Sequence, residues 1–175
     1  MNIFFISDCH FEHFNIIKYC NRPFLNLDYM NEALIERWNK KVKPGDLVYH
    51  IGDFYMSRNP EAKGHRYYQF ILNGDIVHIR GNHDKNNGVK TLITKCIMNV
   101  GGKKAFVTHR PPHSEAEIPH GCDFCICGHV HQVYKHKWVG DIPVINVSVD
   151  VWGFEPVSLL SIMKYLKKIK KEKRE

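Results

Sequence analysis

The stretch IFFISDCHFEH, residues 3–13, sets four consecutive apolar side chains directly before Asp8, His10 and His13. A short apolar run without alternation is how a strand covered on both faces reads. Its exit carries a carboxylate and two imidazoles, for which a strand serving only the core has no use. In open α/β sheets, ligands collect just beyond the carboxyl ends of strands. The stretch therefore predicts a buried strand whose end faces a site.

The chain repeats this arrangement. LVYHIG (47–52) leads into Asp53, IVHIRG (76–81) into Asn82 and His83, KAFVT (104–108) into His109, and FCICG (124–128) into His129 and His131. Five strand-like runs would aim Asp, Asn and His side chains at one rim. Helical stretches lie between them. Leu27, Met30, Leu34, Trp38 and Val42 recur at helical spacing within residues 25–42, where Asn26 can cap the start and Pro44-Gly45 stops the helix. PEAKGHRYYQFIL (60–72) reads as another helix, and an apolar face from Ser158 through Ile169 marks a closing one. Residues 96–108 read as a hairpin turning at Gly101-Gly102, and QVYKHKWV (132–139) and PVINVSV (143–149) as further strands. This alternation predicts the α/β class.

The length of 175 residues suits a single domain over 1–175, with a basic C-terminal helix and tail at about 158–175. From Lys164 onward, seven basic and two acidic residues carry +5 of the net +7. Such a run reads as the solvated face of a terminal helix; a footprint for nucleic acid is the competing reading. No leader-like segment opens the chain, and no apolar run approaches the ~20 residues that span a bilayer. A cytoplasmic protein without membrane contact is expected. CDFCIC (122–127) lacks the second cysteine pair of a zinc ribbon, and Cys125 and Cys127 alternate with Phe124 and Ile126 as small buried hydrophobes.

The rim residues define the chemistry. Residues i and i+2 of an extended chain point the same way, so Asp8 with His10, and His129 with His131, are each expected to grip one centre. Imidazole nitrogen mixed with carboxylate and amide oxygen suits borderline divalent ions. Mn²⁺ is the expected ion, with Fe, Zn or Ni as alternatives. Asp8, His10, Asp53, Asn82, His109, His129 and His131 are more donors than one ion needs, so two ions sharing a carboxylate is the natural arrangement. Two ions about 3.5–4 Å apart clamp a phosphate and acidify a bound water, whose hydroxide attacks phosphorus. The excess positive charge favours an anionic phosphoester.

Other residues are weighed singly. His13 is expected to face the substrate. Arg80 precedes GNHD and Arg110 follows His109, and a guanidinium in either place matches phosphate geometry, with a structural salt bridge as the alternative for Arg80. His50 and His78 lie inside strands and read as core. VYKHKW (133–138) interleaves aromatic and basic residues, which reads as a two-faced strand before it reads as a base-stacking surface.

At DCH (8–10), GD (52–53), GNHD (81–84), His109 and GHVH (128–131), the sequence resembles the calcineurin-like metallophosphoesterase superfamily, over roughly residues 1–157. SDCHFEHFNIIKYCNRPF (7–24) and VYHIGDF (48–54) further resemble its small stand-alone bacterial, archaeal and phage phosphoesterases. The resemblance implies a four-layer α/β/β/α sandwich of two packed mixed sheets flanked by helices. It also implies roles. Asp8, His10 and His131 would hold the first metal, Asn82, His109 and His129 the second, and Asp53 would bridge them. His83 would be catalytic, protonating the leaving group. Many members carry a second aspartate three residues after that of GD; here Met56 occupies the place, leaving Asp84 or water to orient His83.

The expected function is a dinuclear metal-dependent phosphoesterase acting on phosphodiester or nucleotide-like substrates. A nuclease acting on DNA or RNA is the alternative within enzymes. A catalytically weak binding scaffold on the same fold is the alternative from another class; a degenerate donor set would indicate it, and none of the seven donors is missing.

Overall fold

The computed structural model describes residues 1–175. In chain order its elements are β1 (Ile3–Ile6), α1 (Phe14–Tyr19), α2 (Leu27–Lys41), β2 (Leu47–Ile51), α3 (His65–Ile71), β3 (Asp75–Ile79), β4 (Lys95–Val100), β5 (Lys103–Thr108), β6 (Phe124–Cys127), β7 (His136–Val139), β8 (Ile142–Asn146), β9 (Val157–Ser158) and α4 (Leu159–Glu172). They form two mixed sheets, ordered β3-β2-β1-β9 and β4-β5-β6-β8-β7. β1, β2 and β3 run parallel, as do β5, β6 and β8; β9, β4 and β7 are antiparallel to their neighbours.

The apolar run in β1 has two customers. Phe4 and Ile6 pack with Met30, Leu34 and Trp38 of α2, whereas Phe5 joins Ile51 and Ile79 against Val107, Phe124, Ile126 and Ile145 of the second sheet. Period-two alternation with both faces buried makes the run continuous. On α2, the Asn26 side chain accepts the Tyr29 N–H at 3.0 Å, and the Lys43 ammonium donates to the carbonyl oxygens of Asn39 and Lys40 past its C-terminal end. These contacts satisfy groups that a helix leaves free at its ends. Ile162, Leu166 and Ile169 of α4 join the core between the sheets. The outer face of the second sheet, with Phe106, Cys125, Cys127 and Val144, is covered by Ile118 and Cys122 of the 110–123 segment, which holds a short 3-10 turn at Glu115–Glu117. Two packed mixed sheets with helices are the architecture the resemblance implied. All six cysteines are free, and five are buried.

Several element boundaries differ from the sequence reading. The helix expected over 60–72 begins only at His65, because Asn59 turns the preceding segment by accepting the Glu61 N–H and Gly64 stands extended at the cap. The strand expected over 132–139 is confined to His136–Val139, since the Asn146 side-chain amide donates to the carbonyls of His131 and Tyr134 and folds that segment into a turn. α1 and β9, six and two residues long, were too short to show a period.

Candidate metal centre

Five strands, parallel within each sheet, deliver their donors to one rim. Asp8 follows β1, Asp53 follows β2, His109 follows β5, and His129 and His131 follow β6; Asn82 and His83 sit in the turn after β3. The backbone then leaves the extended conformation. Asp8, His10, Asp53, His129 and His131 have φ of +59°, +51°, +57°, +72° and +44°. Left-handed backbone is uncommon outside glycine, although Asp and His tolerate it better than most residues, and it persists only where surrounding contacts impose it. The motif glycines serve close approach: a Cβ on Gly81 would collide with Asp53 Oδ1, and one on Gly128 with Ser7 Oγ and Asp8 Oδ2.

The donors gather in two groups. In each of Asp8–His10–His131 and Asp53–His109–His129, one ligand atom per residue lies within 4.8 Å of the others. Asn82 belongs beside the second group, its Oδ1 standing 3.0 Å from His109 Nε2. The i, i+2 expectation therefore holds for Asp8 with His10 and fails for His129 with His131, whose side chains join different groups. Both pairs stand on left-handed backbone, so the alternation of an extended strand explains neither outcome.

Asp53 stands between the groups. Its Oδ2 is 3.7 Å from His10 Nε2 and 3.3 Å from His109 Nε2. Its Oδ1 accepts the backbone N–H of His83 at 2.9 Å. Asp8 Oδ2 accepts from Ser7 Oγ at 2.6 Å, and both its oxygens face the His129 N–H.

The donor set fits divalent ions. His10 Nε2 is buried with no hydrogen-bond partner. His109 Nδ1 lies 2.9 Å from the Ile51 carbonyl; since that oxygen can only accept, Nδ1 bears hydrogen and Nε2 turns its lone pair toward Asp53 Oδ2 and Asn82. Oxygen and nitrogen lone pairs facing one another call for a cation between them, a proton or a metal. The titration behaviour of the bare site agrees. Burial acts to lower the basicity of His109, but its hydrogen bond to Asp53 and the charges of Asp8 and Asp53 raise it to about 9. Burial likewise opposes His131, yet the hydrogen bond to Asp150 raises it to about 10. Burial acts to raise Asp53, but His109 and His10 hold it well below the carboxylate range. Desolvation pushes His10 well down.

His83 lies at the edge of this centre, its side chain 38% exposed. The expectation that Asp84 orients it is not met. Asp84 is buried, and its carboxylate accepts the backbone N–H groups of Asp53, Phe54 and Gly81 instead. This carboxylate stitches the turn after β2 to the turn after β3. His13 does face the centre, with Nδ1 3.1 Å from His10 Nδ1. Arg80 and Arg110 are exposed, and neither lines the cavity over the centre; Arg80 makes no ion pair, and Arg110 acts on His129 only through its charge. Lys135 and Lys173 lie over the rings of Trp152 and Trp138, so the basic and aromatic residues of 133–138 are engaged within the molecule.

Two residues escaped the sequence reading. Asp150 Oδ2 is 2.8 Å from His131 Nδ1, and Arg22 pairs with the same carboxylate at 2.8 Å. Asp150 follows the PVINVSV run, so the strand-end rule could have found it; Arg22 gave no signal. Above the centre opens a cavity of about 940 Å³, with Phe14 and Tyr19 of α1 and Val130 and Val133 of the 128–135 turn among its walls.

A family model for the calcineurin-like phosphoesterase superfamily domain matches residues 1–148. An uncharacterized protein of Methanocaldococcus jannaschii is 43% identical over 169 residues, covering 95% of this chain and 92% of its own. A crystal structure of a protein of unknown function from Aquifex aeolicus superposes with TM-score 0.71 at 26% identity, over 94% of this chain and 98% of that one. Vps29 of Chaetomium thermophilum shares the fold, with TM-score 0.52 at 14% identity over 82% of this chain and 69% of that one. No helix is long and apolar enough to cross a membrane.

Proposed function

The chain belongs to the calcineurin-like phosphoesterase superfamily, and on that premise we propose that it is a dinuclear metal-dependent hydrolase of phosphodiester or nucleotide-like substrates. In this reading Asp8, His10 and His131 hold one divalent ion, Asn82, His109 and His129 hold the other, and Asp53 serves both. Mn²⁺ is the expected ion, with Fe, Zn or Ni as alternatives. The observation that carries the reading is Asp53 Oδ2, poised 3.7 Å from His10 Nε2 of one donor group and 3.3 Å from His109 Nε2 of the other.

When bound, paired divalent ions clamp a phosphoester and acidify the water that attacks phosphorus. The remaining work falls to side chains. Asp8 and Asp53 offset only part of the ionic charge, which keeps the centre attractive to an anion. His83, half-exposed at the edge of the cavity, supplies a proton at Nε2 to the departing oxygen. Desolvation lowers His13 to about 4, so at neutral pH it meets the substrate as a neutral hydrogen-bonding group. Phe14 and Tyr19, 63% and 66% exposed, line the cavity beside the centre. Exposed aromatic rings at that place support a substrate with an organic group on its phosphate, as diesters and nucleotides have.

The test combines metal analysis with hydrolysis of bis-p-nitrophenyl phosphate. Two divalent ions per chain, with hydrolysis abolished by chelation and restored by Mn²⁺, is the expected result. Two bound ions with no turnover of any diester, monoester or nucleotide would leave a binding scaffold and end the enzymatic reading.

A further inference from the structure

Arg22 and Asp150 lie 128 residues apart and form an ion pair whose side chains are 0% and 2% exposed. Each reaches the same donor group. Asp150 Oδ2 accepts from His131 Nδ1 at 2.8 Å, from Ser148 Oγ at 3.0 Å and from Arg22 Nη2 at 3.0 Å, while Oδ1 accepts from Arg22 Nε at 2.8 Å. His131 is thereby fixed with hydrogen on Nδ1 and its Nε2 left for coordination, the usual way in which a carboxylate orients a metal-binding imidazole. Arg22 also donates from Nη2 to the Asp8 carbonyl at 2.7 Å and from Nη1 to the Cys9 carbonyl at 3.0 Å, with Met30 Sδ 3.4 Å from Nη1. These are the carbonyls of the two peptide units between Asp8 and His10, both of which are left-handed. One guanidinium thus directs four of its five hydrogen bonds to the segment that presents Asp8 and His10 and, through Asp150, to the ring of His131; the fifth goes to Met30 Sδ.

Cys20, His131 and Asp150 also bring a sulfur, a nitrogen and an oxygen within 4.8 Å of one another. They do not make a third ion site. The guanidinium already supplies the positive charge this carboxylate needs, and it would repel a cation placed beside it. The Asp53–His109–His129 group is held differently: His109 rests on the Ile51 carbonyl and Asp53 on the His83 N–H, with no contact to Arg22 or Asp150.

We propose that the Arg22–Asp150 pair is the positioning element of the Asp8–His10–His131 ion site, and of that site alone. The inference rests on the two-ion reading above, so its test must separate the two. Metal content of the wild-type protein and of Asp150→Asn and Arg22→Lys is measured after dialysis. Affinities come from chelator competition, and anomalous scattering from Mn²⁺-soaked crystals locates each ion. The wild type is expected to hold two ions. The variants are expected to keep the ion at Asp53–His109–His129 with unchanged affinity and to bind the other about 10–100-fold more weakly. A merely structural pair would weaken both sites or neither. Variants that lose both ions, or neither, overturn the proposal while the two-ion reading stands; a wild type without ions overturns both. Since removing one member of a buried ion pair can unfold a protein, one measurement uses the wild type alone. In the zinc-loaded, nitrogen-15-labelled protein, His131 is expected to coordinate through Nε2 and retain a slowly exchanging Nδ1 proton. Coordination through Nδ1 overturns the proposal.

Discussion

His83 Nε2 stands 4.0 Å from Asp53 Oδ2, and no other carboxylate comes within ion-pair reach of that ring. The position three residues beyond Asp53, where an aspartate could have gripped the imidazole, is Met56, and Asp84 is engaged with backbone amides. His83 is therefore oriented weakly, and from the side of Asp53.

A proton donor in that place matters in proportion to the basicity of the leaving oxygen. His83→Asn is expected to lower kcat for an alkyl phosphodiester by about 10²–10⁴-fold. Turnover of bis-p-nitrophenyl phosphate, whose leaving group departs without a proton, should fall far less. Steady-state rates on the two esters decide the matter, and equal losses would remove His83 from the role.

Asp53 Oδ2 stands 3.7 Å from His10 Nε2 and 3.3 Å from His109 Nε2, one imidazole of each donor group. Asp53→Asn keeps its volume but halves the negative charge available from Asp8 and Asp53, and it is expected to weaken both ions at once. Mass-spectrometric metal counts should fall from two toward none, and Mn²⁺-dependent hydrolysis should fall by more than the roughly 10–100-fold typical of a change one layer away from the metal. Loss of a single ion would show that Asp53 serves only one group.

The histidines give the metal-free protein an uneven response to pH. Desolvation lowers His78 to about 4 and His50 well below its ordinary value; His50 has both ring nitrogens buried without a partner. His10, His13 and His129 are lowered as well. For these groups the unfolded chain binds protons more readily, so stability falls as pH drops below about 6.5. His78 alone would cost roughly 3 kcal/mol by pH 4. His109 and His131, raised to about 9 and about 10, act oppositely. Their stabilisation is complete below 6.5 and is lost as pH rises through 9 and 10. Urea unfolding of the metal-free protein across pH 4–10 should thus peak near 6.5. Saturating metal should flatten the alkaline limb, because ions then replace those two protons, and catalysis should fade at mildly acidic pH as protons compete for the ligands.

The basic helix α4 admits a test of nucleic-acid cleavage, though not by truncation. Leu166 and Ile169 are buried in the core between the sheets, so removing residues from 164 onward would unfold the protein. Lys164, Lys167, Lys168 and Lys171 are exposed and can be changed to Gln together. No residue of α4 lines the cavity over the metal centre, so hydrolysis of small diesters should stay unchanged. A nuclease would show weaker single-strand DNA or RNA cleavage and a shallower salt dependence.

Much of the fold is legible in the sequence. Phe4, Phe5 and Ile6 read as a two-faced buried strand because burial on both sides leaves an unbroken apolar run. Asn26 and the Met30–Leu34–Trp38 spacing read as a capped helix because capping and periodicity are local. The seven donors and His83 could be named for a similar reason: each ends, or closely follows, a recognisable strand. Short elements such as α1 and β9 were illegible, since six or two residues carry no period.

The sequence by itself determined which donor atoms this protein owns and in what order its strands bring them to the rim. The division into two groups, with His129 and His131 apart, is the one the family resemblance implied; only the tertiary structure decided the backbone geometry on which the donors meet, and that Arg22 and Asp150 pair beside one group from 128 residues apart. The reason is physical: five donors stand on left-handed backbone, a conformation costing of order 1–3 kcal/mol apiece that only contacts from distant parts of the chain can hold.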